Sequence, residues 1–299
     1  MSELKPNEPG LRGVLRILVE WICDASASLS KKQVTDADIH DARKQLKKSR
    51  AALRLLRDAM AATTFERDNA ALRDAARPLS AARDSKVLLS VLDELVDRYG
   101  LADRKQWLEK FRRELRKEQR QARQVLTAAQ MARQRKALHE IVQRTNRWRM
   151  HGEDWQVLSL GLERIYRNGR KKLKIAMASR DSEHLHDWRK QVKYLWHELQ
   201  ILQPLWPGVI GELADQTHKL SDYLGDDHDL AVLRERITGN AAAFAENDCG
   251  ALLALLDRRR RQLQDKALVL GERIFAAKPG EFSRPFAGYW QAWRRAPPE

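Results

Sequence analysis

The chain has 299 residues, 43% of them hydrophobic, and 56 Lys+Arg against 41 Asp+Glu give a formal charge of +15. That much apolar side chain excludes wholesale disorder, and no run approaches the roughly 20 apolar residues of a membrane span. Cys23 and Cys249 lie far apart without metal-ligand spacing, which excludes a disulfide scaffold or zinc finger and leaves a basic globular protein with an anionic partner.

In chain order, MSELKPNEPG is followed by an apolar run broken by Arg12, Arg16 and Glu20. No cleaved leader is expected from this, and the cytoplasm is the expected location. Proline is absent between Pro9 and Pro78 and between Pro78 and Pro204, and glycine between Gly13 and Gly100. Ala, Leu, Arg, Lys, Glu and Gln fill these stretches and lose little freedom in a helix. No alternating β-branched run competes, so the fold is expected to be all-α. Breakers predict helices over 11–29, 36–60, 65–97 (bent or interrupted around Pro78), 101–128, 131–147, 155–178, 182–203, 209–238 and 248–276. Thr35-x-x-Asp38 and Asp181/Ser182 read as N-caps. The segment 280–299, with Trp290, Trp293 and Pro297-Pro298, predicts a poorly ordered tail packing back through its aromatics.

The sequence repeats itself. Ile39-His40-Asp41-Ala42-Arg43-Lys44-Gln45-Leu46-Lys47 matches Leu185-His186-Asp187-Trp188-Arg189-Lys190-Gln191-Val192-Lys193, six of nine positions being identical at an offset of 146. Leu79…Asp84-x-x-Val87-Leu88 matches Leu224…Asp229-x-x-Val232-Leu233 at an offset of 145. Two matches at nearly one offset predict a duplicated unit, about 11–147 and 155–276. It is too long for a solenoid period, and it implies two antiparallel helical bundles of about four long helices each, related by pseudo-two-fold symmetry.

At about 100° per residue, His40, Arg43, Lys44, Lys47, Arg50 and Arg54 share one side of their helix. Ala42, Leu46, Leu53, Leu56 and Met60 share the other. The cationic stripe runs roughly 21 Å at 1.5 Å per residue. Solvated faces mix signs, because like charges at i,i+4 destabilise a helix. Arg43 with Lys47, Lys44 with Lys48 and Arg50 with Arg54 break that pattern, which points to an anionic ligand. In the second copy His186, Arg189, Lys190, Lys193 and His197 form the stripe, with Trp196 standing where the first copy has Arg50. The preceding helix adds Arg164, Arg167, Arg170, Lys171, Lys172, Lys174 and Arg180 against Glu163 alone.

The pairs His40-Asp41, His186-Asp187 and His228-Asp229 raise a metal-dependent phosphohydrolase as an alternative. Arg and Lys at +3 and +4 from His40 and His186 oppose a bound cation, and Glu183-x-x-His186 has Ala37 in place of its glutamate in the first copy. The Asp226–Asp229 cluster reads as an N-terminal or turn cluster with local hydrogen bonds. No GxxxxGK[ST], GxSxG or GxGxxG occurs, so no catalytic residue, metal or cofactor is expected. Nucleic-acid binding is the other alternative, although only Tyr166 and Tyr194 stand near the basic stripes for base stacking.

HDARKQLKKSRAALRLL and HDWRKQVKYLWHELQIL, each followed by LxxxxDxxVL, resemble the two motifs of the CHAD domain, the conserved histidine α-helical domain. The resemblance covers about 11–276. It implies two four-helix bundles facing each other across a basic central cavity that binds inorganic polyphosphate without catalysis, with polyphosphate granules as the place of action. It also implies that His40, Arg43, Lys47, Lys48 and Arg50 are ligands in the first motif. In the second motif the implied ligands are His186, Arg189, Lys190, Lys193 and Tyr194. Tyr166, Arg167 and Arg170 resemble the basic segment that opens the second repeat.

Overall fold

The computed structural model describes residues 2–99, 105–152, 154–239 and 246–296, without the side chains of 80–86, 105–107 and 246–249. The side chains of Cys249 and Asp84 therefore lie outside what is described, as do residues 101–104 of the predicted fourth helix and Pro297-Pro298.

Among the described residues the chain is helical with no strand. The first half forms α1 (Gly10–Ser28), α2 (Asp36–Leu55), α3 (Ala62–Ala76), α4 (Pro78–Tyr99), α5 (Lys105–Val125) and α6 (Ala128–Thr145). The second forms α7 (Asp154–Ser179), α8 (Ser182–Leu202), α9 (Pro207–Gly239), α10 (Glu246–Ile274) and α11 (Pro279–Arg295). Pro78 separates α3 from α4, because its ring cannot continue a hydrogen-bonded helix. Thr35 caps α2: its hydroxyl accepts from the Asp38 amide while the Asp38 carboxylate accepts from the Thr35 amide. Arg180 turns into the left-handed region at φ 51°, and the Asp181 side chain then caps α8.

The C-terminal segment corrects the expectation of a poorly ordered tail. Pro279 starts α11, where a missing N–H costs nothing. Phe282 stacks on Tyr166 at 3.9 Å, Trp290 on Trp155 at 5.6 Å, and Tyr289 meets Trp206 edge-on at 4.9 Å. Gly280, Pro285 and Gly288 read as breakers, but aromatic burial outweighs their weak helix propensity.

Two apolar clusters hold the chain, and each draws on both halves. The larger joins α1, α2, α3, α6, α7 and α8 with the first part of α9, the end of α10, and Phe286 and Trp290 of α11. The smaller joins Leu92 and Leu95 of α4 and Phe111 of α5 to Leu233 of α9 and Leu256 of α10. Each fully buried leucine of this kind contributes roughly 2 kcal/mol. The helices carrying matched motifs touch, α2 on α8 and α4 on α9, and α1 also packs on α7. Gly161 permits the approach of α7 to α2, since a Cβ there would lie 2.5 Å from the Leu55 carbonyl oxygen. Where α2 and α8 pass beside α4 and α9, the space between the two clusters is left open.

Candidate functional site

That opening is a cavity of about 560 Å³. Helix α2 contributes Arg43, Lys47 and Arg50, spaced i, i+4, i+7 along one face, and α3 adds Arg73. Helix α8 contributes His186, Arg189, Lys190, Lys193, Tyr194 and His197. The remaining wall is Val87 and Leu88 of α4 with His228, Asp229 and Val232 of α9. The described lining thus holds seven Lys/Arg side chains and a single acid, Asp229.

Several of these groups are held in place before any ligand arrives. Arg43 is buried, and its Nη1 donates to the Leu79 carbonyl at 2.9 Å. Arg50 Nε and Arg54 Nη1 both donate to Asn69 Oδ1, at 3.2 and 2.9 Å. The same two guanidinium groups lie over the Tyr194 ring, 6.0 and 3.9 Å from its centroid. Lys190 pairs with Asp187 at 2.5 Å, and Asp187 also takes Lys172 of α7 at 2.7 Å.

The histidines are the neutral members of this cationic space. The rings of His186 and His228 lie 4.4 Å apart at 34°. Burial, with Lys190 and Arg189 adding repulsion, lowers the His186 pKa, and burial with Arg189 takes His228 down to about 4. Burial takes His197 to about 3, although its Nδ1 donates to Gln200 Oε1 at 3.1 Å. His186 Nδ1 is buried and has no hydrogen-bond partner. The arrangement can hold an extended polyanion through guanidinium forks and ammonium point charges, while neutral imidazoles stand ready to take up protons.

The CHAD domain family model matches residues 18–238. The chain belongs to the CHAD family. PptA from Streptomyces chartreusis has a similar fold, with TM-score 0.64, 13% identity, and coverage of 90% of this chain and 100% of that one. The crystal structure of the CHAD domain from the plant Ricinus communis aligns with TM-score 0.53 and 17% identity over 92% of this chain and 93% of that one. Comparison with curated proteins gives no match.

Not all of the ligand residues expected of this CHAD chain reach the cavity. Arg43, Lys47, Arg50, His186, Arg189, Lys190, Lys193, Tyr194 and His197 line it. His40 and Lys44 are exposed and stand outside the lining. Lys48 turns toward α1, its ammonium 5.2 Å from the Trp21 ring, and burial lowers its pKa. Arg54 lies behind the wall against Tyr194, where burial brings it to about 10.

Helix α7 departs furthest from expectation. Tyr166 is a core residue: fully buried, it shares its single hydroxyl proton between the Ile274 and Ala277 carbonyls, each 3.1 Å away. Burial pushes its phenol up to about 12. Arg167 pairs with Glu163, Arg170 Nε donates to the Phe275 carbonyl at 3.2 Å, and Lys171 and Lys174 are exposed. The reason is position. Helix α7 borders α1, α2, α8, α10 and α11, whereas α3, α4 and α9 close the cavity.

Sequence reasoning missed Arg73, His228, Asp229 and the apolar trio Val87, Leu88 and Val232 as lining residues. The LxxxxDxxVL element contained most of the signal, because Val87 and Val232 are its matched positions. The Asp226–Asp229 cluster is also corrected. It sits within the 33-residue α9 rather than at a helix N-terminus or in a turn, and Asp227 is buried, accepting from Arg260 at 3.0 Å and Gln264 at 2.9 Å. Among the described residues, no three His, Cys, Asp or Glu side chains gather where they could hold a metal ion.

Proposed function

We propose that this CHAD chain binds inorganic polyphosphate in the cavity between α2 and α8 and does not turn it over. The reading is carried by the two cationic rows, Arg43, Lys47 and Arg50 on one side and Arg189, Lys190 and Lys193 on the other, that line one space. A linear phosphate polymer presents oxygens along its whole length, so rows at helical spacing suit it better than a single anion. Binding releases condensed counterions and weakens as salt rises. The division of the chain into two copies, about 11–147 and 155–276, and symmetric facing bundles belong to the same proposal.

Lys47 and Lys193 are the residues to reverse, because neither is as deeply buried as Arg43. Retention of long-chain polyphosphate by the full chain is expected to be lost in Lys47→Glu/Lys193→Glu. Unchanged retention by a folded double variant would sink the assignment. Incubation with polyphosphate, with and without divalent cations, is expected to release no orthophosphate. Release that disappears in His186→Ala would restore the hydrolase alternative. Displacement of polyphosphate by DNA or RNA at equal phosphate concentration would favour the nucleic-acid alternative.

A further inference from the structure

A second concave space also collects cations. This pocket, about 630 Å³, opens where the short turn Arg57–Ala59, the start of α3 and the end of α6 meet. Arg67, Arg144, Arg147, Arg149 and His151 line it, against one acid, Asp58. It shares no described lining residue with the cavity. Arg73, which lines the cavity, stands about 9 Å further along α3 than Arg67 and about 120° round it.

Local sequence and one buried acid bring these cations together. After α6 the chain reads Arg147-Trp148-Arg149-Met150-His151. Trp148 and Met150 pack against the larger core, whereas Arg147, Arg149 and His151 are exposed. The His151 amide donates to the Ala59 carbonyl at 2.8 Å, which holds this segment on the turn. The fully buried Asp68 carboxylate accepts from Arg67 at 2.7 Å, Arg144 at 2.7 Å and the Trp148 indole at 3.1 Å. Asp68 engages Arg67 through Nε and Nη2 and Arg144 through Nε, so each keeps Nη donors for a ligand. Asp58 is matched by Arg164 of α7. Five arginines therefore exceed two aspartates here by three charges. Neither Arg147 nor Arg149 pairs with an acid among the described residues.

We propose that this pocket is a second phosphate site, which takes a compact inorganic phosphate of the size of pyrophosphate. Its guanidinium groups come from three segments onto one pocket and can close on a small anion, whereas the cavity's rows follow a polymer. A carboxylate would cancel only one of the surplus charges. Linked phosphate groups bring several, with oxygens on all sides for the Arg forks. The site is independent of the cavity reading, because the two share no described lining residue.

Calorimetric titration of the full chain with pyrophosphate tests this, with the cavity disabled by Lys47→Glu/Lys193→Glu. Pyrophosphate is expected to bind that variant still. Adding Arg147→Ala/Arg149→Ala is expected to weaken the binding about tenfold or more, the scale of one charge-assisted hydrogen bond. Both arginines are exposed and neither bonds to Asp68, so the melting temperature is expected to stay unchanged. No pyrophosphate binding by the cavity variant, or binding unaffected by the arginine change, would overturn this inference. Sulfate bound as tightly as pyrophosphate at equal ionic strength would overturn it too. Long-chain polyphosphate retained by Arg147→Ala/Arg149→Ala, with no pyrophosphate site in the cavity variant, would remove this inference and keep the cavity reading. Polyphosphate retained by Lys47→Glu/Lys193→Glu, with pyrophosphate binding lost on the arginine change, would remove the cavity reading and leave this site standing.

Discussion

Helices α2 and α8 carry the same motif, yet they serve the cavity differently. Of the matched pairs, Arg43 and Arg189 both line it, as do Lys47 and Lys193. His186 and Lys190 line it, whereas their counterparts His40 and Lys44 are exposed and do not. At the third level Arg50 lines the cavity, whereas its counterpart Trp196 stacks on His218 at 3.8 Å. The two helices have different neighbours. Helix α8 lies along α9, which brings His228 against His186, while α2 packs most extensively on α1, which draws Lys48 over Trp21. A duplicated motif thus fixes which residues are available, and the flanking helices decide which ones are used.

The double reversal at Lys47 and Lys193 would be the most damaging change, because it strikes the pair used alike in both copies. The next effect sets α8 apart from α2 through pH. Polyanion binding raises the depressed pKa values of His186 and His228, since a nearby negative charge favours the protonated form. Affinity should therefore climb as pH falls from 6.5, the ordinary value, toward the value of about 4 held by His228 without ligand. Binding measured across that interval should steepen with acid in the parent and flatten in His228→Gln. An equally flat profile for both would remove the histidines from the ligand set.

The same shifts set the stability of the unliganded fold. Above pH 6.5 His228 and His197 are neutral whether folded or unfolded, and their contribution is fully present. Below 6.5 the unfolded chain takes up protons that the fold resists, so stability falls progressively down to the folded values of about 4 and about 3. Glu198 works in the opposite sense. It is fully buried, neither carboxylate oxygen has a hydrogen-bond partner, and burial raises its pKa well above 4.5 despite Arg54 and Arg164. Its contribution is lost as pH rises through that folded value. Thermal melts of Glu198→Gln should therefore decline less than the parent as pH rises above 4.5, and an identical decline would show that Glu198 is not the group responsible.

Smaller effects separate the two motif copies residue by residue. Lys190→Ala should lower polyphosphate affinity several-fold and reduce the slope of log affinity against log salt by about 0.7, the loss of one phosphate contact. Lys44→Ala, at the matched position, should leave both unchanged. Equal losses would mean that the exposed stripe of α2 binds as well. The least effect on binding is expected for Tyr166→Phe. It removes the one hydroxyl proton shared by the Ile274 and Ala277 carbonyls and should cost about 1 kcal/mol of stability, read as a lowered Tm, with polyphosphate retention unchanged.

Helix order, most boundaries, and the Thr35 and Asp181 caps were legible because they depend on neighbours within a few residues. The same is true of the cationic rows, since Arg43, Lys47 and Arg50 share a face wherever the helix packs. Helix α11 was not legible, because it depends on Tyr166, Trp155 and Trp206, more than 70 residues earlier in the chain. Nor was the burial of Tyr166, whose partners Phe275 and Phe282 lie on segments more than 100 residues away.

By itself, the sequence determined an all-α chain with a repeated His-Asp-x-Arg-Lys motif and a positive excess in stripes. Only the tertiary structure decided that α7's basic face stands outside the cavity, that His186 meets His228, and that Val87, Leu88 and Val232 close the opposite wall. The physical reason is that a helical period sets angles within one helix. The rotation of each helix against its neighbours is set by how distant apolar faces pack together.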